Sequence, residues 1–169
     1  MKQTDNLKFD EANVMNELVY RNLSEDEKRQ ICAWKYGGEY ELYNLPAYEE
    51  MQVRQIGFMN PQREKNYYGF WDESILVGFV NILEEKEEIF IGIGVNPDLC
   101  NKHYGQRMLL ITYEISKKLY PDKPLYLEVR TWNIRAVKCY QKAGFRIDGQ
   151  AYELTTGIGT GTFYRMIRE

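Results

Sequence analysis

The sequence is poor in the residues that metals, disulfides and hydrolytic triads require. It has one histidine, His103, and three cysteines, Cys32, Cys100 and Cys139, with no metal-ligand or redox spacing among them. No metal is therefore expected. An odd, scattered set of thiols makes no disulfide framework, so a reduced, cytoplasmic protein is the expectation. His103 has no acid or nucleophile placed to complete a triad. Basic blocks are missing too: 22 Lys and Arg stand against 25 Asp and Glu, for a net charge of −3. Binding to nucleic acid through phosphate neutralisation is disfavoured. The longest apolar run, residues 89–95, falls far short of a membrane span, and residues 1–10 lack the apolar core of a signal peptide. No membrane partner is expected.

What is present suits one globular domain over residues 1–169. Hydrophobic residues make up 44% of the chain, enough for a core, and no repeat, linker or low-complexity stretch divides it. Fourteen tyrosines are a surplus. Their apolar rings and polar tips suit cleft walls as well as half-buried sheet faces.

Residues 19–23 read as a short strand. Ser24 and Glu27 form a capping box for a helix running to about residue 34, which Gly37 and Gly38 break. Residues 36–48 are aromatic and irregular, and 48–58 read as a second helix. Three strand signals, 67–71, 75–83 and 88–95, are joined by short polar turns and read as an antiparallel meander. A helix with one apolar face follows over 104–119, then a strand over 124–130 and a helix over 133–143 closed by Gly144. Residues 145–147 and 162–167 are closing strands, with Gly157, Gly159 and Gly161 marking a loop or bulged turn between them. The result is an α/β (α+β) domain on a mixed sheet flanked by helices. Its central strand–helix–strand unit forms a parallel, right-handed crossover.

The loop from Val95 to Gly105 joins a strand end to a helix start. The first amides of a helix lack internal partners and carry the positive end of the dipole, so such a loop can hold a phosphate. The same sequence also serves as an ordinary connection. Lys102 would add a point charge. Further on, Asn133, Ala136 and Tyr140 fall at i, i+3 and i+7, on one helical face, with a small residue between two polar ones. Such a face leaves a groove for a thin chain, although Tyr140 packing in the core and Asn133 capping its helix fit the spacing as well. Cys139 is expected to point elsewhere.

These segments resemble the GCN5-related N-acetyltransferase (GNAT) family, most firmly over residues 75–147. Val95-Asn96-Pro97-Asp98 matches the family's strand exit. In the loop that follows, Gly105 matches the second motif glycine, while Cys100 stands for the usual Arg or Gln and His103 for the first glycine. Asn and His are among the residues that tolerate positive φ in a glycine's place. Asn133, Ala136, Tyr140, Gly144 and Phe145 match every position of the family's Asn-x-x-Ala-x-x-x-Tyr-x-x-x-Gly-Phe element, and Arg135 its common Asn-x-Arg-Ala form.

The resemblance implies a sheet splayed between the fourth and fifth strands and acetyl-CoA as co-substrate. Ile93, Gly94 and Val95 would pair with its pantetheine. Cys100, Asn101, Lys102, His103, Tyr104, Gly105 and Gln106 would cradle its pyrophosphate. Asn133 would contact the arm or an ordered water, and Tyr140 would protonate the leaving thiolate. Gly92 and Gly94 would allow close approach, with a bulge near Gly94. The resemblance also implies a carboxylate base near Glu88, with Glu128 as a further candidate. The acceptor, an amine, would enter among Trp34, Tyr36, Tyr40, Tyr43 and Tyr48, beside Glu39, Glu41, Glu49 and Glu50. The assembly would be a monomer or homodimer. Alternatives are a non-catalytic acyl-CoA-binding protein on this fold, transfer of a longer acyl group, and a nucleotide-binding module, which the missing lysine-serine loop ending disfavours.

Overall fold

A computed structural model describes residues 18–169; residues 1–10, read above for a signal peptide, lie outside them. Strand β1 (Val19–Asn22) leads into α1 (Glu25–Ala33). The capping box forms: the Ser24 side chain accepts from the Glu27 amide, and the Glu27 carboxylate accepts from the Ser24 amide at 3.0 Å. The irregular aromatic segment contains a 3₁₀ turn, Gly38–Tyr43. Helix α2 (Tyr48–Arg54) is shorter than the sequence suggested, because Gln55 turns left-handed (φ 50°) and a 3₁₀ turn, Gly57–Met59, follows.

Strands β2 (Tyr67–Asp72), β3 (Ile75–Glu84) and β4 (Ile89–Val95) form the antiparallel meander. Helix α3 (Tyr104–Leu119) crosses back to β5 (Leu125–Arg130), which runs parallel to β4. Helix α4 (Ile134–Lys142), β6 (Arg146–Ile147), β7 (Tyr152–Thr156) and β8 (Gly159–Arg168) complete the chain. The sheet order is β1-β2-β3-β4-β5-β8-β6, with β7 paired to β8.

Two differences from the expected strands share a cause. Strand β7 falls in the segment expected between the closing strands, and β8 starts at Gly159 rather than 162. Both form a hairpin that is largely exposed at its tip, so its residues (YELTT and GTGT) carry no clear apolar alternation to announce them. The bulge expected near Gly94 is absent: β3 and β4 pair without interruption from Gly78↔Val95 to Glu84↔Ile89. The irregularity falls between Phe70 and Trp71 in the β2–β3 pair.

Alternation along the strands sorts the core onto two faces. Ile89, Ile91, Leu125, Leu127, Val129 and Met166 pack with Met108, Leu109, Ile115 and Val137 of α3 and α4. On the other face Tyr67, Leu76 and Phe79 meet Ile31, Tyr48 and Met51 of α1 and α2. At about 25 cal/mol per Å², each fully buried Leu, Ile or Phe contributes about 1.5–3 kcal/mol, so both faces hold the sheet. The feature that positions the site is a gap. β4 and β5 pair only at Ile89↔Leu125 and Phe90↔Tyr126 and then diverge, so the sheet splays between its fourth and fifth strands.

Candidate active site

Where β4 and β5 part, a cleft of about 590 Å³ opens. Its β4 wall is Ile91–Val95, past the last residue pair with β5, so the backbone edge of β4 is left open to an extended ligand. Gly94 is required there for a local reason: a Cβ would sit 2.4 Å from the Phe79 ring. Gly92 has room for a Cβ, whose nearest neighbours would lie at 3.5 and 3.6 Å, so the strand face is not closed to side chains at that position.

The loop at the mouth has the backbone the sequence required. Asn101 and His103 take positive φ, 64° and 65°. The first α3 bond runs from the Arg107 amide to the His103 carbonyl at 3.1 Å, and among the described residues the amides of 101–106 have no backbone acceptor. Asn96 pins the strand exit, accepting from the Asp98 amide at 3.0 Å and donating to the Leu76 carbonyl at 3.1 Å. Gly105 lets α3 pass α4 closely, since a Cβ would lie 2.9 Å from the Cys139 sulfur. Cys139 thus lines the cleft instead of pointing elsewhere; burial raises its pKa, which keeps it a thiol and suits packing rather than attack. Open amides, a glycine at the closest helix crossing and a stripped strand edge fit a pyrophosphate followed by a pantetheine arm.

Helix α4 supplies the far wall. Asn133 is buried and caps the helix, its Oδ1 accepting from the Ala136 amide at 3.2 Å, while its Nδ2 donates to the Tyr43 hydroxyl at 3.2 Å. Tyr43 and Tyr40 lie against Trp132, with ring centroids 6.0 and 5.7 Å apart, and the Arg135 guanidinium covers Tyr40 at 4.0 Å. The 3₁₀ segment is therefore a strap over the α4 N-terminus. Tyr36, just before it, donates to the Val95 carbonyl at 2.6 Å and ties the strap to the end of β4.

Tyr140 lies inside this enclosure, and among the described residues its hydroxyl has no hydrogen-bond partner. Desolvation first, then the neighbouring Cys139, Tyr43 and Tyr36, push its pKa far above the usual tyrosine value, against the opposing charge of Arg135. Tyr140 consequently holds its proton at neutral pH.

Ile93, Gly94, Val95, Cys100, Asn101, His103, Tyr104, Gly105, Gln106, Asn133 and Tyr140 all line the cleft. Lys102 is exposed and does not. Glu88 is likewise not in the lining: it precedes β4 at the closed end and is ion-paired with Arg165, which also binds Asp148 at 3.3 Å. Glu128, on β5, lines the cleft and accepts from the Tyr152 hydroxyl. Of the aromatics expected around the acceptor, Trp34, Tyr36, Tyr40 and Tyr43 are in the lining. Tyr48 is buried under α1 with its hydroxyl on Glu25, and Glu39, Glu41, Glu49 and Glu50 lie outside it. Arg130 is a lining residue that the sequence reading passed over. Its signal was alternation: Tyr126, Glu128 and Arg130 occupy the face opposite Leu125, Leu127 and Val129. Among the described residues no group of three or more His, Cys, Asp or Glu could hold a metal ion, and no helix is long and apolar enough to cross a membrane.

Comparison with known proteins agrees with this geometry. The acetyltransferase (GNAT) family model matches residues 25–145. Among solved structures, a GNAT-family acetyltransferase from Bacillus anthracis superposes with a TM-score of 0.74 at 16% identity, over 90% of this chain and 95% of that one. A spermidine N-acetyltransferase from Vibrio cholerae, in complex with CoA and spermine, superposes with a TM-score of 0.71 at 17% identity, again over 90% and 95%. No curated protein matches the chain by sequence. The family match covers most of the chain and contains the divergent strand pair, the open-amide loop and Tyr140, and the chain belongs to the GNAT acetyltransferase family, whose co-substrate is acetyl-CoA.

Proposed function

We propose that the protein transfers the acetyl group of acetyl-CoA to a primary amine of a small molecule or peptide, by direct attack in a ternary complex. The observation that carries this reading is the protonated, unpartnered hydroxyl of Tyr140 inside the cleft between the diverging strands. The β4 edge and the loop amides hold the co-substrate, and Asn133 keeps the α4 N-terminus in register beside it. The amine nitrogen forms its bond to the thioester carbon, the carbon–sulfur bond breaks, and Tyr140 gives its proton to the departing thiolate. The amine's proton leaves toward Glu128, directly or through water. Glu128 suits this role better than Glu88, because it faces the cleft while Glu88 is engaged by Arg165.

Thiol release from acetyl-CoA, followed across a panel of amines, tests the reading. Tyr140→Phe should lower kcat by about 10²-fold or more, the usual share of a positioned acid, with little change in CoA affinity. Tight CoA binding without turnover, unaltered by Tyr140→Phe, would instead mark a binding protein on this fold.

A further inference from the structure

Arg130 ends β5 with only 6% of its surface exposed, and it lines the cleft. Its guanidinium lies on the β7–β8 hairpin. One Nη is 3.3 Å from the Gly159 carbonyl, and the Phe163 ring centroid is 4.9 Å away. Gly161 leaves the space it occupies, since a Cβ there would sit 2.0 Å from the other Nη. Its Nε is buried and has no partner, and among the described residues no carboxylate is ion-paired with it. A buried guanidinium without a counter-ion is costly, so one kept in a cleft wall favours an anion beside it.

The phosphates of the co-substrate have other partners. On the transferase reading they fall to the open amides of 101–106. Along β5, Arg130 shares its face with Glu128, two residues and therefore about 7 Å away, and both line the cleft. One anion-seeking and one cation-seeking group at that spacing match a molecule with an amine and a carboxylate a few bonds apart.

We propose that the acceptor is an amine that also bears a carboxylate, an amino acid or a short peptide, with Arg130 holding the carboxylate while the amine lies toward Glu128. This rests on the transferase reading above. It separates the acceptor from a purely cationic polyamine, for which the uncompensated charge of Arg130 would be a penalty.

The test pairs each amino acid with its decarboxylated counterpart, lysine with cadaverine and phenylalanine with phenethylamine among them, in wild type, Arg130→Met and Arg130→Lys. Wild type should use the acids in preference. In Arg130→Met the ratio of kcat/KM for acid over decarboxylated partner should fall at least about 30-fold, the cost of removing one partner of a buried charge pair. Arg130→Lys should restore part of it. A ratio is insensitive to general damage to the fold. Equal use of both members of each pair by wild type overturns the inference while leaving the transferase intact. So does a rise in KM for acetyl-CoA in Arg130→Met, which would assign the residue to the CoA phosphates. If no amine is acetylated, the transferase reading fails by itself. Calorimetric titration of N-acetyl amino acids and N-acetyl amines onto the CoA complex then decides. Carboxylate-dependent binding lost in Arg130→Met supports the inference, and its absence overturns it.

Discussion

Burial acts on the tyrosines of this protein in one direction. Tyr36, Tyr67 and Tyr140 each have their pKa raised, with desolvation as the first cause. In an unfolded chain these phenols titrate near pH 10. Below that pH both states hold the proton and the stabilising contribution is whole. Above it the unfolded chain releases protons that the folded one keeps, so stability falls as pH rises, by about 1.4 kcal/mol per pH unit for each proton retained. Urea unfolding between pH 9 and 11.5 should therefore show a steep decline, reduced in Tyr36→Phe. A flat profile, or one unaltered by that substitution, would mean that the phenols are wetter than the cleft suggests. Tyr140, the proposed acid, and its helix partner Asn133 were legible in the sequence because helical spacing alone sets which residues share a face. Alternation along β5 set the face of Arg130, but its surroundings were not legible, because Gly159, Gly161 and Phe163 reach it only through strand pairing.

At the scale of elements, the loop before α3 shows how a degenerate motif keeps its shape. Where close phosphate approach favours glycine, this chain has Asn101 and His103, both in the left-handed region. A non-glycine residue there costs about 1–3 kcal/mol, held by the surrounding structure. His103→Gly removes that cost but adds about 0.5–1 kcal/mol of unfolded-chain entropy, so stability should rise by about 0–2.5 kcal/mol. Removing the Cβ should let the pyrophosphate approach the amides, and the Kd for CoA measured by calorimetry should fall. A Kd that rises would show that the imidazole itself holds the ligand. The sequence signalled this loop through its Val-x-Pro-Asp exit and Gly105. It gave little sign of β7, whose positions alternate only between exposed and half-exposed, or of the exposed start of β8. Helix α2 was overdrawn for a related reason: Val53 is exposed and Gln55 turns left-handed, so the apolar residues after it belong to a separate 3₁₀ turn rather than to a continuing helical face.

Across the whole molecule, the divergence of β4 from β5 is a structural compromise. Two residue pairs join the strands, and beyond them the two parts of the sheet are held by the core under α3 and α4 and by the strap from Tyr36 to Tyr43. Backbone groups that a continuous sheet would pair are left open along the cleft, and an unpaired backbone group is satisfied only by water or a ligand. A pantetheine arm laid between the strands, as proposed, would supply the missing pairing and so link binding to folding. A ligand that binds only the folded state stabilises it by RT ln(1 + [L]/Kd), about 2.7 kcal/mol at one hundred times Kd. For a chain of this size each kcal/mol raises Tm by about 2–4 °C. Saturating acetyl-CoA should therefore raise the melting temperature by roughly 5–10 °C. Adenosine bisphosphate, expected to reach the loop amides but not the strand edge, should bind more weakly and give a smaller shift at equal concentration. An equal shift from both would place the binding energy in the loop alone and leave the open edge of β4 without a role in holding the arm.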